Sequence, residues 1–161
     1  MQGLERAFGD LISARSQMTE RLQREVGILC KEGVRLTGTI LAEEIEDGLR
    51  SRCFVQIEYD RKIVRGESDS EFFDALCNAR LFLEREGAVL CCNGASEDVY
   101  PSGMQLSMGP AILAYRTTLG QRALLKDIVN IFDSDEANRP ATVDQQAQFH
   151  RRWLGSLRQS K

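Results

Sequence analysis

Residues 53–59 constrain this chain more than any other stretch. Cys53, Val55, Ile57 and Tyr59 alternate with Phe54, Gln56 and Glu58. Successive side chains of a strand point to opposite faces, so this period of two predicts a strand with one face turned to a core. The β-branched and aromatic residues in it suit a pleated surface. Asp60 and Arg61 can turn the chain, and 62–65 return as the second arm of a hairpin. A hairpin must be covered on its apolar face, so the remaining segments must supply a cover.

Upstream, Val34, Leu36, Thr39 and Ile40 suggest another strand, and Glu43, Glu44, Glu46 and Asp47 read as an acidic cluster on a turn ending at Gly48. Before it, Leu4, Phe8, Leu11, Met18, Leu22, Val26 and Leu29 recur at spacings near three and four, which predicts a helix over 3–31 stopped by Gly33. The pattern thins at 13–17, which leaves two shorter helices as the alternative. The clearest helix is 69–86. Phe72, Leu76, Ala79 and Leu83 share a face, Ser68 with Glu71 forms a capping box, and Gly87 is a natural C′ residue.

The short apolar run 88–92 reads as a buried strand. Residues 93–109, dense in Asn, Gly, Pro and Ser, read as a long loop. Strand candidates follow at 112–118 and 128–132, and a last helix starts near Thr142. The order predicts an α+β fold: an antiparallel or mixed sheet covered by helices, with an N-terminal helix and a C-terminal helix. The 161 residues fit a single domain over 1–161, made of an N-terminal helical segment over 1–33 and an α+β body over 34–161.

Composition narrows the function. Apolar residues make up 42% and charged residues 28%, an ordinary globular balance that needs no metal or disulfide to hold it. No run approaches the ~20 apolar residues of a membrane span. Residues 1–10 lack the apolar core of a signal peptide, so no membrane and a cytoplasmic location are expected. The net charge of −3 is unevenly spread: residues 41–100 hold fourteen acids and seven bases, while 137–161 hold one acid and five bases. An acidic middle would repel a phosphate backbone, which argues against direct nucleic-acid binding. It suits either a solvated surface or a face that meets a basic partner.

The candidate reactive groups are few. The five cysteines show no C-x-x-C pair, and with one histidine, His150, no metal site is expected. Cys91 and Cys92 are neighbours on a strand and point to opposite faces, so they read as buried thiols. His150 reads as packing beside Trp153 in the last helix. No catalytic residue, cofactor or small-molecule substrate is therefore expected. Loop 93–104 offers Glu97, Asp98, Tyr100 and Met104 as protein-interface residues, with a structural Ω-type loop as the other reading. Glu43, Glu44, Glu46 and Asp47 are the other candidate contacts.

Over 66–157 the residues also carry a resemblance. Phe72-Phe73-Asp74-Ala75-Leu76, Ala79-Arg80, Leu83-Glu84 and Gly87 form an F-x-A-L-x-x-x-R-x-x-L-E-x-x-G helix pattern. It leads into Asn93-Gly94-Ala95, then Val99-Tyr100-Pro101-Ser102-Gly103-Met104, and ends in Trp153-Leu154-Gly155-Ser156-Leu157. This combination resembles small bacterial immunity proteins encoded beside polymorphic toxins of the Rhs and related secretion-linked kind. The resemblance implies a protein that binds a cognate toxin and neutralises it by occluding its active site. It carries over no site residues. The alternatives are a small cytoplasmic enzyme, a hydrolase or nucleotide-processing domain, and a secretion adaptor or chaperone that holds an exposed segment in an apolar groove.

Overall fold

The structure, a computed structural model, describes residues 20–101 and 112–159. Five strands come first in the sheet that dominates the molecule: β1 (Glu20–Leu29), β2 (Arg35–Asp47), β3 (Arg50–Tyr59), β4 (Lys62–Ser68) and, after helix α1 (Phe72–Arg85), β5 (Val89–Cys91). They form an antiparallel sheet in the order β4-β3-β2-β1-β5. A second sheet joins β6 (Val99–Tyr100), β7 (Leu113–Arg116) and β8 (Ile128–Asn130). Helix α2 (Val143–Gln159) closes the described chain.

This overturns the expected α+β layering. The molecule is mostly sheet: a curled five-stranded antiparallel half-barrel plus a three-stranded sheet, with two α-helices, one mid-chain and one C-terminal. No helix precedes the sheet among the described residues. The helix expected over 3–31 is a strand from Glu20 to Leu29, and its earlier part lies outside the described residues. The physical reason lies in the spacing. Leu22 and Val26 stand four apart, which is one helical turn but also two strand repeats. Val26 and Ile28 then continue the strand period, and both are buried.

The 53–65 hairpin forms as its pattern predicts. Cys53, Val55, Ile57 and Tyr59 are buried, and their neighbours are not. Asp60 and Arg61 both take positive φ, 44° and 60°, the turn whose twist matches paired strands. The acidic turn expected at 43–48 does not exist as such. Strand β2 runs through it to Asp47, and the chain reverses at Gly48 and Leu49, so that Asp47 pairs with Arg50.

Helix α1 lies on the core face of β3 and β4, burying Phe72, Phe73, Ala75, Leu76, Ala79 and Leu83. It sits directly on the strand backbone at Gly66, where a Cβ would come 2.2 Å from Ala75 O and Ala79 N. Ser68 Oγ accepts from the N–H groups of Ser70 and Glu71 at 3.1 and 3.3 Å, so it caps the turn that leads into the helix. The Glu71 side chain does not complete the capping box. It is buried, with Oε2 unpaired. One apolar core runs from Val26 through α1 to Val99, Ala114, Ile131 and Phe132, so both sheets share it.

Candidate functional site

The register of the half-barrel decides which side chains meet on its outer face. Arg21 pairs with Glu43, Glu43 with Phe54, and Phe54 with Glu67. The next row on the same face runs Gln23, Leu41, Gln56 and Arg65. Phe54 is the diagonal neighbour of both Leu41 and Ile45 across the β2–β3 pair, within about 7–8 Å, so the three form a half-buried apolar patch among charges. Around the edge strand β4, helix α1 turns Leu81 and Phe82 outward, 44% and 47% exposed. Together these residues line an open groove of about 950 Å³, with Arg21, Glu43, Arg65, Glu67 and Arg85 at its rim.

The rim charges differ in their partners. Arg21 Nε holds Glu43 at 3.2 Å, and Arg52 holds Glu67 and Asp69 at 3.0 Å each. Arg85 lies over the Phe82 ring at 5.1 Å, and Arg65 Nε donates to Gln56 Oε1 at 2.5 Å. Neither of these two arginines has a carboxylate partner among the described residues.

The expected site residues scatter over the molecule. Because β2 continues through 43–47, its acids alternate between faces. Glu43 lines the groove, whereas Glu44 points into the core, buried and bonded by Ser51 Oγ. Glu46 is exposed, and Asp47 ends the strand. Glu97 and Asp98 lie away from the groove, in an ionic clasp. Asp98 is buried, accepts from Ser96 Oγ at 2.6 Å and pairs with Arg116 at 3.7 Å, while Glu97 pairs with Arg139 at 3.6 Å. Tyr100 stacks on His150 with ring centres 3.9 Å apart and meets the edge of Phe73. Met104 lies outside the described residues.

Two polar hubs went unread in the sequence. Arg80 is wholly buried. Its guanidinium donates to Gln146 Oε1 at 2.6 Å, Ala141 O at 2.9 Å and Gly94 O at 3.2 Å. Gln146 in turn donates to Gly94, Ser96 and Val99 carbonyls at 2.8–2.9 Å. These contacts tie α1, segment 93–100 and α2 together. Arg116 gathers Asn93, Asp135, Asn138 and Ala137 O in the same way. Neither hub opens on the groove, so both hold the scaffold that presents it.

Three thiols are held in their protonated, inactive form. Burial, with Glu44 and Glu71 nearby, pushes Cys53 up to about 12; burial alone accounts for most of the rise of Cys92 to about 12 and of Cys77 to about 11. Burial also lowers His150, which keeps the imidazole neutral near pH 7. Among the described residues no three His, Cys, Asp or Glu side chains stand close enough to hold a metal ion. No helix among them is long and apolar enough to cross a membrane.

Fold and groove define a β-rich domain that presents an open face of mixed apolar and charged character. No family model matches the chain, and no curated protein matches it.

Proposed function

We propose that this chain is a binding protein that docks another protein on the outer face of its half-barrel. The partner we propose is a cognate bacterial toxin domain, met in the cytoplasm and neutralised by occlusion of its active site. The groove carries the binding half of this reading. Leu41, Ile45, Phe54, Leu81 and Phe82 line one open depression rimmed by charge, and exposed apolar surface gathered in that way marks interaction sites. A standard interface buries roughly 800 Å² on each partner, an area a groove and its rims can provide. The toxin half rests on the sequence resemblance over 66–157.

The register revises the acidic contact. Of the acids at 43, 44, 46 and 47 it is Glu43 that faces the groove, so the partner would meet a mixed rim and not a uniformly acidic tip. The test is co-expression with the polypeptide encoded beside this chain. Growth should be restored and the two chains should co-elute, while Leu81→Asp, at an exposed position, should abolish both effects. Unrelieved toxicity with separate elution would overturn the proposal.

A further inference from the structure

The edge of the half-barrel beside the groove is built to accept a strand. Tyr59 and Lys62 flank a two-residue turn and therefore form a hydrogen-bonded pair. Hydrogen-bonded and non-hydrogen-bonded pairs then alternate along the hairpin. Ile57–Val64 and Val55–Gly66 are thus bonded pairs, and Ile63, Arg65 and Glu67 direct their N–H and C=O groups away from β3. Asn78 of α1 confirms this direction: its Nδ2 donates to Glu67 O at 2.9 Å from the far side. The outward groups of Ile63 and Arg65 make no backbone hydrogen bond to a described residue.

The side chains of Ile63, Arg65, Phe82 and Arg85 around those groups are exposed, and the two arginines lack an acidic partner among the described residues. Ile63 is 56% exposed and forms a shallow depression with Val64, Arg65 and Phe82 that adjoins the groove. Of the nearby acids, Glu67 is engaged by Arg52 and Glu86 by Lys62, while Glu58, opposite Ile63, accepts from the Gln56 amide. Arg65 and Arg85 are left as the rim charges without an acidic partner among the described residues. Charged side chains on an edge strand ordinarily discourage pairing. Here both are positive, so they select for an acidic incoming strand.

We infer that β4 is a strand-addition site for an extended segment of a partner protein that carries both apolar and acidic residues. The segment's backbone would pair with Ile63 and Arg65, its apolar side chains would cover Ile63 and Phe82, and its carboxylates would meet Arg65 and Arg85. The β4 edge of a second copy would bring Lys62 and Arg65, with its Glu67 already held by Arg52, and so supplies no free acid. Antiparallel β4–β4 pairing centred on Arg65 would set two arginines directly opposite, and like charges in that position are destabilising. The inference rests on the proposed function only in taking this face as a docking surface.

The test pans a phage-displayed library of random linear peptides on the full chain and titrates the enriched peptides as synthetic probes. Enriched peptides should combine apolar and acidic residues, and amide hydrogen exchange at Ile63 and Arg65 should slow on binding. Arg65→Glu and Arg85→Glu should each weaken binding by about ten-fold or more. Ile63→Pro, which removes an outward donor, should weaken it further. If that variant fails to fold, the exposed Arg85→Glu and the exchange data decide. No enrichment, peptides without carboxylates, or affinities indifferent to the arginine changes would overturn the inference. So would self-association of the chain that Ile63→Pro abolishes, since the edge would then belong to a second copy. The test uses no toxin: a chain that binds such peptides but fails to rescue growth loses only the proposed function, and one that rescues growth without protecting residues 63 and 65 loses only the strand-addition site.

Discussion

Gly66→Ala should be among the most damaging single-methyl additions in this molecule. An added Cβ would stand 2.2 Å from Ala75 O, 2.2 Å from Ala79 N and 2.9 Å from Asn78 C, all of them backbone atoms. Ordinary contact begins at 3.4 Å, so α1 would have to lift off β4 by about 1 Å, and no flexible side chain is present to yield instead. Overpacking typically costs about 1–3 kcal/mol, and rigid helix backbone belongs at the upper end. Lower entropy of the unfolded chain returns about 0.4–1 kcal/mol. The net loss of about 2–2.6 kcal/mol corresponds to a fall in Tm of roughly 4–10 °C for a chain of this size. Gly155→Ala is the matched control. It adds the same methyl to an exposed turn of α2, where a Cβ meets nothing within 4 Å. That change should raise stability by about 0.5–1 kcal/mol through helix propensity. Thermal unfolding followed by circular dichroism measures both. If Gly66→Ala melts within 2 °C of the parent, the direct seating of α1 on β4 is wrong.

Two further outcomes follow from the buried polar groups. Burial, aided by Asp74, holds Glu71 at about 6 against an ordinary 4.5. A carboxyl raised in the folded state contributes stability that is complete below the unfolded value and is lost as pH rises through about 6. Glu71→Gln should therefore be more stable than the parent above pH 6.5, by about 1–2 kcal/mol after allowance for solvent screening. It should also show a flatter dependence between pH 4.5 and 7; urea midpoints at the two ends check this, and parallel profiles would contradict it. Gln146→Leu keeps the volume of its side chain but strips donors from the Ser96 and Val99 carbonyls and an acceptor from Arg80. The expected loss is about 3–5 kcal/mol, with hydrogen exchange accelerated first in 94–100; uniform acceleration across the fold would show that Gln146 does not hold that segment in particular.

What the sequence discloses here depends on how local the deciding interaction is. The 53–65 hairpin is legible because strand period, turn residues and register all lie within a dozen positions. The core face of α1 is legible for the same reason. Strand β1 is not, since Leu22 and Val26 satisfy both periods, and pairing with β2 and with the distant β5 settles the matter. Charge misleads at 43–47, where the core-facing alternation of Ile40 and Ala42 continues through Glu44; the strand carries a carboxyl into the core because Ser51 across the hairpin turn donates to it. Arg80 stands next to apolar Ala79 and between Leu76 and Leu83, which marks it as buried, but its partners are mostly main-chain carbonyls and the Gln146 amide, more than sixty residues away in two cases. A carbonyl exists at every position and so leaves no signature in the sequence. The groove is hidden for a related reason. Phe54, Leu41 and Phe82 each look like one more apolar residue until register makes the first two diagonal neighbours on one face and the seating of α1 at Gly66 brings the third around the edge of β4. Leu81 and Phe82 do leave one local trace: they are apolar, yet lie off the helix face defined by Leu76, Ala79 and Leu83. An apolar pair on the solvent side of a well-patterned helix is therefore the part of a docking surface that a single sequence can reveal.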